Sequence, residues 1–226
     1  MTEEEDIVGD IFGWVGTVIS TYFFIAPCVP FYKVVKEEMK YTDSPGLLLI
    51  FSFMNCILWA VYGLLQDNSQ VYVANGIGGT ITLIWITIFL IYFAGKKFML
   101  AFLLNLAVIA LIAGISIVFF YFIGAKITGL VAMVFNVLMY AAPGEKIYRV
   151  IKTGKYDLIP IFSTIGGLLC SACWLIFGIY KGDSNLIIPN GLGLFFAILQ
   201  VAVYLIYYCK AKKEDSDFKG ESDDVV

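Results

Sequence analysis

Leu58-Trp59-Ala60-Val61-Tyr62-Gly63, followed twelve residues later by Asn75-Gly76-Ile77-Gly78, is written a second time as Cys173-Trp174-Leu175-Ile176-Phe177-Gly178 and Asn190-Gly191-Leu192-Gly193. Working outward, Ala26-Pro27, Tyr32, Lys36 and Pro45 recur as Ala142-Pro143, Tyr148, Lys152 and Pro160. The offset is 116 residues and falls to 115 after one deletion. Both copies are mostly apolar, yet each keeps Pro, Trp and Asn at matching depths. The chain is a duplicated unit.

With 60% hydrophobic and 15% charged residues, the chain cannot cover a soluble domain with polar groups. Seven apolar stretches fall at 8–32, 46–65, 71–94, 98–123, 127–149, 160–180 and 186–209. Each is long enough for a hydrocarbon core of about 30 Å at about 1.5 Å per residue. Backbone groups in lipid must be satisfied within the segment, and strand-like alternation is absent, so the stretches predict helices. Thr2-Glu3-Glu4-Glu5-Asp6 is acidic where a cleavable signal is basic, so the first helix is expected to stay in the mature protein.

These spans divide as a three-helix repeat over 8–94, a linker helix over 98–123, a second three-helix repeat over 126–209, and a polar, disordered tail over 210–226. Three is odd, and the linker returns the chain to its starting side, so the repeats run parallel: an all-α, 3+1+3 membrane protein. With the N-terminus outside, thirteen Lys and Arg side chains fall on the inner loops and tail. Only Lys126 and Lys181 fall outside. Basic excess marks the cytoplasmic face and puts the C-terminus in the cytosol. A repeat with polar and helix-breaking residues in register predicts a transporter with its site between the copies.

Asn75 and Asn190 sit a few residues into the third helix of each copy. An amide in hydrocarbon needs a partner, which is either another helix or a polar solute. Amides offer both donors and acceptors, which suits sugar hydroxyls. Trp59 lies about 9 Å inside its helix end, deeper than an interfacial belt position. Its ring face could stack on a pyranose, and Trp174 repeats it. Pro27, Pro45, Pro143 and Pro160 fall near helix ends, where proline terminates or kinks a helix. The carboxylates lie at the ends of the spans and His is absent, which argues against ion coupling within the membrane. The five Cys suggest no disulfide framework, and Cys170 and Cys173 read as small packing residues. No nucleophile–base pair, phosphate loop or metal cluster appears. The expectation is not an enzyme, with no cofactor, no metal and no nucleic-acid partner.

The chain resembles the SWEET (saliva-domain) sugar facilitators over about residues 10–209. The resemblance rests on Asn136-Val137-Leu138-Met139-Tyr140-Ala141-Ala142-Pro143, Trp174 with Phe177-Gly178, Ile188-Pro189-Asn190-Gly191-Leu192-Gly193, and the matching first-copy motifs. It departs at Ala74, where the second copy has Pro189. The resemblance implies a sugar pocket carrying Trp59, Trp174, Asn75 and Asn190, with further positions at Ser20, Phe23, Asn55, Asn136, Met139 and Cys170. It implies hinges at Pro27, Pro45, Pro143 and Pro160, and an outer gate at Tyr62 and Asp183. Bulky Phe23, Asn55, Asn136 and Met139 predict a small cavity, suited to a monosaccharide such as glucose. The alternatives are a proton-coupled PQ-loop carrier of amino acids or cystine, whose Pro-Gln pair is missing here, and a seven-helix receptor. A homo-oligomer is plausible from the resemblance. The plasma membrane is the default address and a vacuolar or endosomal membrane the alternative.

Overall fold

The computed structural model describes residues 3–25, 28, 32, 36, 46–93 and 97–223, and among them every regular element is helical. The first repeat supplies α1 (Glu3–Ile25), α2 (Gly46–Leu65) and α3 (Ser69–Phe93). Next comes α4 (Phe98–Val118), which ends in a single π turn, Phe119–Ile123. The second repeat supplies α5 (Ala125–Met139), α6 (Ala141–Thr153), α7 (Ile161–Lys181) and α8 (Ser184–Asp223). Six helical stretches are long and apolar enough to cross a membrane, α5 and α6 counting together as Ala125–Thr153. Leu49–Leu65 in α2 is a shorter apolar seventh. Pro27 and Pro45 lie outside the described residues.

Two elements differ from the sequence expectation. The span predicted over 127–149 is broken at Tyr140 and continues to Thr153. Pro143 has no N–H to offer the Met139 carbonyl four residues back. The Tyr140 N–H instead reaches Val137, three residues back, at 3.0 Å. The expected disordered tail from 210 is also corrected, since α8 runs on as helix to Asp223. Lys210-Ala211-Lys212-Lys213-Glu214 are strong helix formers, and extending an existing helix needs no new nucleus.

In each repeat the third helix lies between the other two. α3 packs on α1 and α2, and α8 packs on α5, α6 and α7. The repeats meet along two seams, α1 with α7 and α2 with α5, while α4 rests on α2 and α3. The core between the repeats draws on both: Leu58, Trp59, Tyr62, Val71 and Ala74 from the first, Ala132, Trp174, Phe177 and Leu186 from the second.

The duplication is visible in single hydrogen bonds. After α2, the Asn68 N–H bonds to the Gly63 carbonyl at 2.8 Å. After α7, the Asp183 N–H bonds to the Gly178 carbonyl at 2.9 Å. Both turns need a left-handed residue, the usual way to satisfy the last carbonyls of a helix. The second copy uses Gly182 at φ 63°, and the first uses Asp67 at φ 51°.

Candidate functional site

A cavity of about 270 Å³ opens between the repeats at mid-bundle. Ser20, Phe23, Asn55, Trp59, Asn75, Asn136, Cys170, Trp174 and Asn190 line it, so nine of the ten residues singled out as pocket positions converge there. Met139 does not line it; Tyr140 does. Helix phase explains the exchange. Asn136 faces the cavity, and on a helix the residue four further on shares that face more closely than the residue three further on. Met139, the last residue of α5, is three residues from Asn136 and so lies further from that face. Sequence reasoning also missed Phe24, Ser171, Val71, Ala74 and Leu186 in the lining. Phe24 and Tyr140 are equivalent at the offset of 116, which is the signal that could have found both.

The two central amides are built alike. Asn75 donates from Nδ2 to the Val71 carbonyl at 2.9 Å, and Asn190 donates to the Leu186 carbonyl at 2.8 Å. Each bond spends one amide hydrogen within its own helix. The Oδ1 acceptor and the second N–H are left for a solute. The indoles are also paired: Trp59 meets Tyr62 edge-to-face at 5.5 Å, and Trp174 meets Phe177 at 5.6 Å. Their hydrogen bonds differ. Trp174 donates from Nε1 to Ser20 Oγ at 3.0 Å, and Ser20 Oγ also lies 3.3 Å from Cys170 Sγ. Trp59 Nε1 and Asn55 Oδ1 are buried without a partner among the described residues.

The Asn–Gly–x–Gly runs have a packing cause at their second glycine only. A Cβ at Gly78 would collide with the Phe24 ring, and one at Gly193 with the Tyr140 hydroxyl and Ser171 Oγ. Tyr140 is held there by donating its hydroxyl to the Pro189 carbonyl at 2.7 Å.

Near the C-terminal end of α2 a polar cluster joins the two repeats. Tyr62, 1% exposed, donates its hydroxyl to Asp183 Oδ2 at 2.7 Å. The phenolic oxygen of Tyr62 in turn accepts from Asn185 Nδ2 at 3.2 Å and Gln66 Nε2 at 3.4 Å. The two residues singled out as an outer gate are thus in direct contact. Toward the other end lies a second cavity of about 240 Å³, sharing Phe23, Tyr140, Gly167 and Ser171 with the first. Pro143, Pro160, Lys146 and Gln200 also line it. Pro160 precedes the first turn of α7, its carbonyl accepting from the Thr164 N–H at 2.9 Å. It acts there as a helix start.

The family described as "Sugar efflux transporter for intercellular exchange" matches residues 10–97 and again residues 126–212. The chain belongs to this family of SWEET sugar transporters. It is 33% identical over 218 residues to the bidirectional sugar transporter SWEET1 of Arabidopsis thaliana, covering 93% of this chain and 87% of the relative. It is 31% identical over 225 residues to SWEET7b of Oryza sativa subsp. japonica, covering 95% and 84%. A eukaryotic SWEET transporter structure at 3.7 Å resolution superposes with a TM-score of 0.81 at 26% identity, covering 92% of this chain and all of that one. The SWEET family is one of multi-pass integral membrane proteins that carry sugar, and its members are transporters and not enzymes. Its single motif unit, matched once per repeat, coincides with the duplication read from the sequence.

Proposed function

We propose that the chain is a facilitative, uncoupled and bidirectional carrier of a monosaccharide such as glucose, working by alternating access. The observation that carries this reading is the central cavity, walled by two indoles and two amides from equivalent places in the repeats. Its volume of about 270 Å³ falls just below the roughly 300–1,000 Å³ of drug-sized ligand pockets, which favours one pyranose ring over two. Ring faces of Trp59 and Trp174 suit the C–H faces of such a ring, and the free amide groups of Asn75 and Asn190 suit its hydroxyls.

Uncoupled transport is supported by the linings of both cavities, which among the described residues hold no carboxylate and only Lys146 as a charged group. Closure at Tyr62–Asp183 supports a gate on one side of the site. Pro143, at the break between α5 and α6, supports a hinge on the other, with Pro27, Pro45 and Pro160 as its companions. The lysine bias supports an outside N-terminus and a cytosolic C-terminus; the plasma membrane is the default address, with a vacuolar or endosomal membrane as the alternative. Exposed Leu103, Leu106, Ile109 and Leu111 on α4 offer an apolar face to lipid or to a second copy.

Uptake of labelled glucose and sucrose into proteoliposomes tests the proposal. Glucose should enter at least tenfold faster than sucrose, at a rate unmoved by an imposed proton gradient. Equal sucrose flux, or uptake that follows the proton gradient, contradicts it.

A further inference from the structure

The two seams between the repeats are related by the duplication but are not joined alike. Along α1–α7, contacts run the length of the helices. At the Tyr62 end, Lys181 Nζ bridges Asp10 Oδ1 at 3.0 Å and Asp6 Oδ1 at 3.2 Å. Below it, Gly9, Gly13 and Gly16 leave no room for a side chain against Tyr180, Phe177 and Trp174: added Cβ atoms would lie 2.8, 2.8 and 3.1 Å from them. Small residues at such spacing let membrane helices approach closely. At the cavity, Ser20 takes the hydrogen of the Trp174 indole. Lower still, Phe23 fills the space a side chain at Gly166 would need.

Along α2–α5 the equivalent positions are vacant of bonds. Ser20 corresponds to Asn136, Cys170 to Asn55 and Trp174 to Trp59. There the Asn55 oxygen and the Trp59 N–H are unpaired. Among the described residues no hydrogen bond or ion pair joins α2 to α5. The cross-repeat bonds of α2 are confined to its end, where Tyr62 meets Asp183 and Asn185.

We infer that Ser20 is a positioning residue, pinning Trp174 as the fixed face of the site on an α1–α7 seam that stays shut, while the α2 side swings and carries Trp59 with it. This rests on the functional reading above. Both seams are packed, α2–α5 through Tyr62 against Gly129 and Phe51 against Phe135. Parting α1 from α7, however, breaks an ion-pair cluster and the Trp174–Ser20 bond, whereas the polar ties holding the α2 side are those of one phenol. The unpaired groups of α2 have everything to gain from a new partner, either a sugar hydroxyl or the other conformation. Ser20 therefore acts through Trp174 and not by touching sugar.

The chain contains no histidine, so engineered pairs are the only imidazoles available to bridge zinc. Asp10→His with Lys181→His clamps α1 to α7; Gln66→His with Asp183→His clamps α2 to the α7–α8 turn. Zinc occupancy is confirmed by calorimetry on each purified variant, and glucose flux is read with zinc and after a chelator. The first pair should keep its flux within about twofold, and the second should lose at least tenfold, reversibly. A reversible tenfold block of the first pair, or unimpaired flux through the occupied second, overturns the inference. Ser20→Ala should raise KM at least threefold with the maximal rate per molecule within twofold, and Ser20→Thr should restore it; an unchanged KM overturns the positioning role. A parent chain that carries no hexose defeats the functional reading instead, which separates the two failures.

Discussion

After the Trp-bearing helix, the first repeat turns through Leu65-Gln66-Asp67-Asn68 and the second through Tyr180-Lys181-Gly182-Asp183. The backbone bonds are the same, and each fourth residue caps the next helix: Asn68 Oδ1 accepts from the Val71 N–H, Asp183 Oδ1 from the Asn185 N–H. The side chains then part company. Lys181 reaches α1, and the second oxygen of Asp183 takes the phenol of Tyr62. In the first copy Gln66 only reaches back to the same phenol, and the partner of Tyr62 in the second copy is Phe177, which has no hydroxyl. The two copies keep the same backbone frame, and differences at a few side chains let one turn bond across the repeats where the other does not.

The comparison can be broken most severely at the glycines. Gly193→Ala and Gly78→Ala overpack tightly filled notches and should each cost about 1–3 kcal/mol. Gly191→Ala and Gly76→Ala, with open space or only ordinary contact around them, should change stability by under about 1 kcal/mol. Thermal melts in detergent distinguish the pairs; equal losses at both glycines of a run contradict the packing account.

Tyr62→Phe makes the first copy resemble the second. It leaves Asp183 and Asn185 without the phenol and should weaken the closed end by about 1.5 kcal/mol, roughly tenfold in population. An impermeant thiol reagent added from the Tyr62 side should then modify Cys170, which lines the cavity, correspondingly faster. An unchanged rate shows that the phenol does not hold the gate.

The smallest effect belongs to the turn itself. Asp67→Gly supplies at the first turn the residue the second already has, removing left-handed strain worth up to about 1 kcal/mol. A melting temperature raised by a few degrees is expected, and a lowered one contradicts the equivalence of the turns.

The number of membrane spans and the pairing of Trp59 with Trp174 and Asn75 with Asn190 were legible because they follow from hydropathy and spacing. What stayed hidden was local phase and tertiary choice. Pro143 marked a kink, but the phase of α5, which sets Tyr140 and not Met139 on the face of Asn136, was not read from it. The structure seats Gly9, Gly13 and Gly16 against α7, a partner that small residues by themselves do not name. That Trp174 is bonded and Trp59 is not depends on Ser20 standing where the other copy has Asn136, a difference visible in sequence whose consequence needs coordinates. Proline 189, set inside α8, carries a carbonyl that Tyr140 uses, a contact no periodicity announces.

The central claim is that one sugar site lies between the repeats and uses an amide from each. Uptake of radiolabelled glucose in transporter-deficient yeast, comparing the parent with Asn75→Ala and Asn190→Ala at matched surface expression, tests it most directly. The account predicts robust uptake by the parent and at least a tenfold loss in each variant. Normal uptake in both variants would contradict it.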